Sequence, residues 1–234
     1  MIDARMELTE AEKESRDRAA LTFALRVSLL SFAVTATYAI SRYVVFGPIK
    51  VVHIPIFVLN KAFSWTGLTL LCATLALGPA ARCWPDRYAA KLAYRKLLGL
   101  FGFMAVTGHV LLSLMVLNYG TYRGYFVQAF ELNALAEFTL AAGAWGWLLL
   151  LPPMAVSIPQ VRESISPRAW RSVQNCLPLV LLLAVVHMLK DAPTWWQPRD
   201  WPGGMPPISL LTVLMAVAVL VFYFAVTGRV ARGS

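Results

Sequence analysis

The feature that most constrains this chain is a series of long apolar stretches that carry no charge. The stretches Ala62–Ala81 and Leu97–Tyr122 contain no Asp, Glu, Lys or Arg, and a membrane-spanning helix needs about 20 predominantly apolar residues. Over all 234 residues, 59% are hydrophobic and 14% are charged, whereas soluble domains contain about 25% charged residues. A soluble fold of this size cannot bury so much apolar surface. The sequence therefore predicts an integral membrane protein.

Six stretches meet this criterion, and together they predict an all-α bundle of six transmembrane helices. The predicted spans are Ala19–Ile40, Ala62–Ala81, Leu97–Tyr122, the stretch between Glu137 and Arg162, Ser172–Leu189, and Ile208–Gly228. Pro152 and Pro153 interrupt the fourth span, since proline inside a helix kinks or ends it. The apolar segment 46–60 contains two prolines and is predicted to lie on the outer membrane surface.

The distribution of the 21 basic residues predicts the orientation of the bundle. If the N-terminus is cytoplasmic, fifteen of them face the cytoplasm and six face the opposite side, as the positive-inside rule requires. Both termini are then cytoplasmic, with residues 1–18 as an N-terminal segment, 19–228 as the transmembrane domain and 229–234 as a tail. Because the basic residues lie between apolar segments, the net charge of +9 does not indicate a nucleic-acid partner.

Two of the three histidines lie deep inside predicted spans, where an ionisable or metal-ligating side chain indicates a functional site. His109 follows Arg95 by 14 residues, and His187 follows Arg171 by 16. At 1.5 Å per residue the two imidazoles lie about 21 and 24 Å above the inner boundary. Imidazoles at one depth on two helices can ligate a haem iron from both faces, although each could instead hydrogen-bond to a neighbouring helix. The third histidine, His53, is predicted to be a solvated surface residue.

Further residues near the histidines fit a cofactor site. Gly99, Gly102 and Gly108 thin the third span, so that a flat cofactor or another helix can approach it closely. Lys190 follows His187 by three residues and so lies on the same helix face, one turn higher. At that position its ammonium group could pair with a haem propionate.

Three segments of the chain resemble the ferric-reductase-like transmembrane domain. The clearest is YRKLLGLFGFMAVTGHVLLSL at residues 94–114, with its basic pair, Leu-Gly-Leu run, aromatic residues and histidine. Upstream, Trp65-Thr66-Gly67, Leu75-Ala76-Leu77 and Pro79 are similar to the second span of that family. Downstream, PRAWRSVQNCLPLVLLLAVVHML at residues 167–189 is similar to its fifth span. The particular likeness is to the haem-binding membrane subunits of the bacterial periplasmic methionine-sulfoxide reductase system.

This resemblance covers residues 60–190 and implies a b-type haem with His109 and His187 as its axial ligands. One position departs from the family pattern, which has a further histidine 13 residues before the last one. Here that position is Gln174, and an amide is a poor iron ligand compared with imidazole. Arg95 lies at the same inner level and could point into the bundle or serve only as a positive-inside anchor. We therefore expect one haem per chain.

The sequence thus predicts a subunit of the bacterial inner membrane that exchanges electrons with quinol or with a membrane or periplasmic redox partner. It is expected to work inside a larger complex, and quinone is a further candidate ligand. The chain has no GxGxxG turn, so no flavin or nicotinamide site is expected, and it is at most the electron-transfer subunit of an oxidoreductase. The alternative is a haem-free structural or assembly subunit of a larger membrane complex, which the absence of a b-type haem spectrum would indicate.

Overall fold

The computed structural model of this chain describes residues 10–232, without the side chains of residues 10, 11, 13, 171 and 229–232. The predicted N-terminal segment 1–18 and tail 229–234 therefore lie partly outside the described residues. Within them, six helical segments are long and apolar enough to cross a membrane, in agreement with the six predicted spans. These segments are Glu14–Val45, Val51–Cys83, Pro85–Val116, Ala134–Ala155, Pro167–Trp195 and Pro202–Gly228.

Helices account for most of the described chain. The α-helices are α1 (Glu10–Ile40), α2 (Leu59–Cys83), α3 (Pro85–Tyr88), α4 (Arg95–Val116), α5 (Ala134–Leu148), α6 (Leu151–Ala155), α7 (Pro159–Glu163), α8 (Pro167–Gln174), α9 (Leu177–Met188), α10 (Ala192–Trp195) and α11 (Ile208–Arg232). Short 3₁₀ or π turns lie at Ser41–Val45, Val51–His53, Ile54–Val58, Ala90–Tyr94, Arg123–Tyr125, Leu189–Asp191, Pro198–Asp200 and Pro202–Gly204.

The first helix is longer than the predicted span. It runs without a break from Glu10 to Ile40, so no boundary separates the described part of the N-terminal segment from the membrane-spanning part. Glu14 and Arg18 form an exposed ion pair of 2.5 Å one turn apart, which supports the helix at this polar end.

The segment 46–60 was predicted to be separate from the second span, and this prediction is wrong for its second half. The turns at Val51–His53 and Ile54–Val58 are helical and run directly into α2. Pro55 lies in the first turn of its helical segment, where the missing N–H of proline removes no helical hydrogen bond. Asn60 is only 2% exposed, so this polar side chain is buried inside the bundle instead of marking its surface.

Prolines explain two further breaks. The fourth span is divided between α5 and α6, and α6 begins with the pair Pro152 and Pro153 in its first turn, as the sequence predicted. The fifth span was predicted as one helix but is divided between α8 and α9. Pro178 lies in the first turn of α9, where it cannot donate a hydrogen bond back to the preceding helix.

The connection after α4 contains one feature that was not predicted. The helix ends at Val116, within the charge-free stretch Leu97–Tyr122, and the Asn118 side chain accepts a hydrogen bond from the backbone N–H of Thr121 at 3.0 Å, which holds a turn there. The following loop contains a short antiparallel strand pair, β1 (Phe126–Gln128) and β2 (Glu131–Leu132), which the all-α prediction did not include.

The second helix is the centre of the bundle. It packs against α1, α4, α9 and α11, and its buried Leu68, Leu71 and Leu75 belong to one core cluster with Leu181 of α9 and Ala216 of α11. This arrangement holds α4 and α9 in fixed positions, and those two helices carry the deep histidines.

Candidate functional site

The two deep histidines meet inside the bundle. His109 on α4 and His187 on α9 have ring centroids 6.3 Å apart, with their planes inclined at 68°. Matched depths along two different helices predicted this proximity, because both side chains lie a similar number of helical residues from a basic boundary.

A hydrogen bond to α2 orients the His109 ring. Its Nδ1 contacts the Oδ1 of the buried Asn60, and Ser113 donates to the same oxygen at 3.2 Å. Because a carboxamide oxygen only accepts hydrogen bonds, Nδ1 carries the proton. The Nε2 atom of His109 is therefore the nitrogen with the free lone pair.

A backbone carbonyl orients the His187 ring in the same way. Its Nδ1 donates to the carbonyl oxygen of Thr139 on α5 at 2.9 Å, which again leaves the lone pair on Nε2. Gly143, one turn further along α5, provides the space for this ring, since a Cβ atom there would lie 2.6 Å from Nδ1 of His187. Metal-ligating histidines characteristically donate their second ring nitrogen to a carbonyl or carboxylate in this manner.

The separation of the two rings fits a shared metal ion. Imidazole nitrogens bind metals at about 2.0–2.1 Å and lie about 1.1 Å from their ring centre, so rings on opposite sides of one metal have centroids about 6.3 Å apart. The observed centroid separation is 6.3 Å. Among the described residues no group of three or more His, Cys, Asp or Glu side chains could hold a metal ion, so this pair fits a cofactor that supplies its metal's remaining ligands, as a haem does.

Two lysines that adjoin residues of the histidine site in the chain contact aromatic rings. The Nζ of Lys61, next to Asn60 in the chain, lies 5.7 Å from the ring centre of Phe57 and 5.6 Å from that of Tyr122. The Nζ of Lys190 lies 5.4 Å from the ring centre of Tyr125. Cation–π contacts of this length favour an ammonium group over an aromatic face.

The loop that contributes these rings is itself partly buried. Burial raises the pKa of the Tyr125 phenol to about 12, and the carboxylate of Asp191 acts in the same direction. Tyr122 packs edge-on against Tyr125 with ring centroids 5.5 Å apart. The part of the loop around Tyr122 and Tyr125 therefore packs against the bundle, whereas Phe130 in the strand connection is fully exposed.

The glycines of α4 serve helix packing. A Cβ at Gly102 would lie 3.1 Å from Leu71, one at Gly99 would lie 3.6 Å from Thr74, and one at Gly108 would lie 3.5 Å from Phe63. Of the two alternatives for these glycines, a flat cofactor or a neighbouring helix, their observed contacts are with α2.

The inner level has a different structure. Arg95 donates from Nε to the carbonyl oxygen of Thr74 at 3.0 Å, and Gln174 donates from Nε2 to the carbonyl oxygen of Pro153 at 3.5 Å. Both side chains line a cavity of about 640 Å³. His53, in contrast, is exposed and lines neither site.

Sequence reasoning missed three groups at the histidine pair. Asn60 was assigned to the outer segment, and neither the carbonyl group of Thr139 nor Gly143 was singled out. Only Asn60 carried a signal, since it is a polar side chain beside an apolar span. A backbone acceptor and a close-packed glycine on a different helix leave no signal in a single sequence.

Comparison with known proteins identifies the family of the chain. The family described as ferric reductase like transmembrane component matches residues 63–185, which is just over half of the chain. Curated relatives include the protein-methionine-sulfoxide reductase heme-binding subunit MsrQ of Ralstonia nicotianae, which is 25% identical over 69% of this chain and 67% of its own length. The MsrQ of Pectobacterium carotovorum is 29% identical over 67% and 70%, and that of Xanthomonas axonopodis is 30% identical over 55% and 53%.

Proposed function

Since this chain belongs to the family of ferric-reductase-like transmembrane components, we propose that it is a membrane electron-transfer subunit that binds one b-type haem between α4 and α9. The observation that carries the proposal is the histidine pair, in which the ring centroids of His109 and His187 lie 6.3 Å apart and both Nδ1 atoms are already hydrogen-bonded.

Different residues of the chain have different roles in the proposed haem site. His109 and His187 would hold the haem iron through Nε2, while Asn60 and the carbonyl group of Thr139 fix the two ring orientations. Gly143 keeps space for the His187 ring. When bound, the haem would supply one-electron redox chemistry, and the two histidines with their hydrogen bonds would tune its potential.

The lysines near the histidines are proposed to balance the charge of the haem propionates. Lys190 was predicted for this role from its spacing, and Lys61 is a second candidate because its Nζ lies among aromatic rings beside the site. A propionate near either ammonium group would gain a charge-assisted hydrogen bond in a poorly hydrated environment.

The partners follow from the relatives and from the chain's charge distribution. The relatives are named as haem-binding subunits of a protein-methionine-sulfoxide reductase, so we place this chain in a comparable complex of the bacterial inner membrane. The positive-inside rule puts both termini in the cytoplasm and the histidine pair in the outer half of the membrane. Quinol, or a partner protein at the outer surface, then exchanges electrons with the haem, and quinone is a further candidate ligand.

The proposed stoichiometry is one haem per chain. At the inner level Gln174 donates a hydrogen bond to Pro153 and Arg95 carries a guanidinium group, which has no lone pair for a metal. Neither side chain offers an iron ligand comparable to the oriented imidazoles of His109 and His187.

Removal of each histidine tests the assignment. His109→Ala and His187→Ala should each abolish haem retention in the purified protein, measured by the reduced-minus-oxidised absorbance spectrum. His53→Ala is the matched control, because that imidazole is exposed, and it should retain haem at the wild-type level. Full haem occupancy in both single variants would refute the axial ligands. A wild-type protein with no haem would favour the structural or assembly subunit.

The electron route needs a separate measurement. In membrane vesicles, quinol or a periplasmic donor should reduce the haem faster than NADH with a soluble flavin reductase. The expected reason is distance, since the histidine pair lies about 20–25 Å from the inner boundary by helix rise. The opposite order of rates would show that an inner route is intact.

A further inference from the structure

The cavity at the inner level, here called the basic cavity, is not explained by the histidine pair. It has a volume of about 640 Å³ and lies between α2, α4, α6, α7, α8 and α9. On α4 its lining residues run from Arg95 to Phe103, which precede His109 by about 21 and 9 Å of helix. Neither histidine lines the basic cavity, so it is a site separate from the histidine pair.

Four cations line the basic cavity, and no Asp or Glu does. They are Arg82, Arg95, Lys96 and Arg162. Glu163 lines a smaller cavity of about 380 Å³ together with Lys96 and Arg162. Within residues 10–232, none of the four cations forms an ion pair with a described carboxylate. Cations gathered without a counter-ion repel one another, and an anionic ligand would relieve that repulsion.

Arg95 is the cation best positioned to hold such a ligand. It is half-buried, and its Nε atom donates to the carbonyl oxygen of Thr74 at 3.0 Å, which fixes the side chain. Its two terminal nitrogens make no hydrogen bond to a described residue, so the planar end of the guanidinium group is free. This is the group that binds phosphate oxygens in pairs.

The rest of the wall is apolar. Leu100, Phe103, Leu150 and Leu177 line the same cavity, and the last two are buried in the core. A free phosphate ion would leave most of a cavity of about 640 Å³ empty and would leave this apolar surface uncovered. The ligand should therefore join a phosphate group to a hydrocarbon body.

We propose that the basic cavity binds the headgroup and upper acyl region of an anionic phospholipid. The phosphate contacts Arg95 and the three more exposed cations, while the hydrocarbon chains cover the leucine and phenylalanine side chains. Basic pockets between helices on the cytoplasmic side of membrane proteins characteristically bind anionic lipid headgroups. By the positive-inside rule this end of the bundle faces the cytoplasm.

The nitrogen and sulfur groups of the cavity do not favour a metal cofactor there. Gln174 donates to the carbonyl oxygen of Pro153 at 3.5 Å, and the thiol of Cys176 donates to the carbonyl oxygen of Leu149 at 3.4 Å. The cavity is lined by no imidazole. A second haem is nevertheless an outcome that the experiment can detect.

Native mass spectrometry of the whole purified chain tests the proposal. The protein is incubated with phosphatidylglycerol, with zwitterionic phosphatidylcholine, or with inorganic phosphate alone. We expect wild type to retain phosphatidylglycerol at least tenfold better than phosphatidylcholine. Arg95→Gln should reduce this retention at least fivefold. Arg162→Gln should also reduce it, by a smaller factor, and provides the test if Arg95→Gln does not fold. Haem content and elution volume report whether each variant is folded.

Arg87→Gln is the matched control. This exposed cation lies in the same connection between α2 and α4, rests on the ring of Tyr88 at 5.8 Å and does not line the cavity. Its loss should leave phosphatidylglycerol retention unchanged. Three results would overturn the proposal. They are equal retention of the two lipids, an equal loss of phosphatidylglycerol in Arg87→Gln and Arg95→Gln, and displacement of phosphatidylglycerol by inorganic phosphate as effectively as by lipid. A second haem in wild type would overturn it as well.

Discussion

The outer and inner levels of the third and fifth spans form two different sites. At the outer level, the rings of His109 on α4 and His187 on α9 have centroids 6.3 Å apart, and each ring is held by a hydrogen bond from Nδ1. At the inner level, Arg95 on α4 and Gln174 on α8 line a cavity of about 640 Å³. The outer level holds two oriented imidazoles, and the inner level holds an open, positively charged cavity.

This difference indicates that the packing of the helices does not depend on which side chains line each site. The packing of α4 on α2 through glycines is continuous along the helix, since Gly99 and Gly108 both contact α2. The bundle therefore does not require an imidazole at either level. At the histidine level, acceptors and space on α2 and α5 orient two imidazoles. At the cavity, the carbonyl oxygens of Thr74 and Pro153 accept hydrogen bonds from Arg95 and Gln174, and neither of those side chains is a good iron ligand.

The largest expected effect comes from filling the space beside His187. In Gly143→Ala the new methyl group would lie 2.6 Å from Nδ1 of His187, so the ring must move and lose its bond to Thr139. Haem retention should fall more than tenfold, as measured by the pyridine haemochrome assay. Gly146→Ala is the matched control on the same helix, because a Cβ there meets Leu183 at an ordinary 3.5 Å. Equal retention in both variants would show that His187 does not need this space.

The next effect concerns the acceptor for His109. Asn60→Ala leaves Nδ1 of His109 without its carboxamide partner, and loss of such an orienting group typically weakens metal or cofactor binding about 10–100-fold. Haem titration of the apoprotein measures the change in Kd. Ser113→Ala should have a smaller effect, since Ser113 Oγ lies 3.4 Å from Nδ1. If the two variants were equivalent, Asn60 would not be the main orienting group.

A third experiment introduces a histidine pair at the inner level, in the basic cavity. The double variant Arg95→His and Gln174→His places imidazoles on α4 and α8 at the inner level, where the cavity already provides space. Haem content should rise from about one toward two per chain, because imidazole is the better iron ligand. The single variant Gln174→His, which retains Arg95, serves as the comparison. A content that stays at one in the double variant would show that the cavity cannot accommodate a haem.

The smallest effect concerns charge near the histidine pair. Lys190→Gln removes a positive charge. Its loss stabilises the oxidised iron relative to the reduced iron, so the midpoint potential should fall by tens of millivolts, on the order expected for one partly screened charge. Potentiometric titration of the haem band measures this shift. Arg199→Gln, in the exposed loop that follows, should leave the potential unchanged. An identical shift in both variants would indicate a general surface effect instead of a propionate contact.

The sequence predicted the spans and the histidine pair better than it predicted the details that orient them. Residue counts from a basic boundary are sufficient to match the depths of His109 and His187, because helix rise is constant. The Thr139 carbonyl group and Gly143 reach His187 from α5, 48 and 44 residues earlier in the chain. Such contacts depend on which helix faces which, and a single sequence does not contain that information.

The helix breaks show a similar limit. The proline pair Pro152 and Pro153 was recognised as a break, whereas the single Pro178 inside an otherwise apolar stretch was not, although it lies in the first turn of α9. Hydropathy alone made 172–189 look continuous. The position of Asn60 was also missed, because its burial depends on contacts with His109 and Ser113 on another helix.

The central claim is that one haem lies between His109 and His187 and none lies at the inner level. The most direct measurement combines haem and iron quantification with electron paramagnetic resonance of the oxidised protein. The account predicts one haem iron per chain with the low-spin signal of two imidazole ligands, and the loss of that signal in His109→Ala and His187→Ala. Two haems per chain, no haem, or a signal that survives either substitution would contradict it.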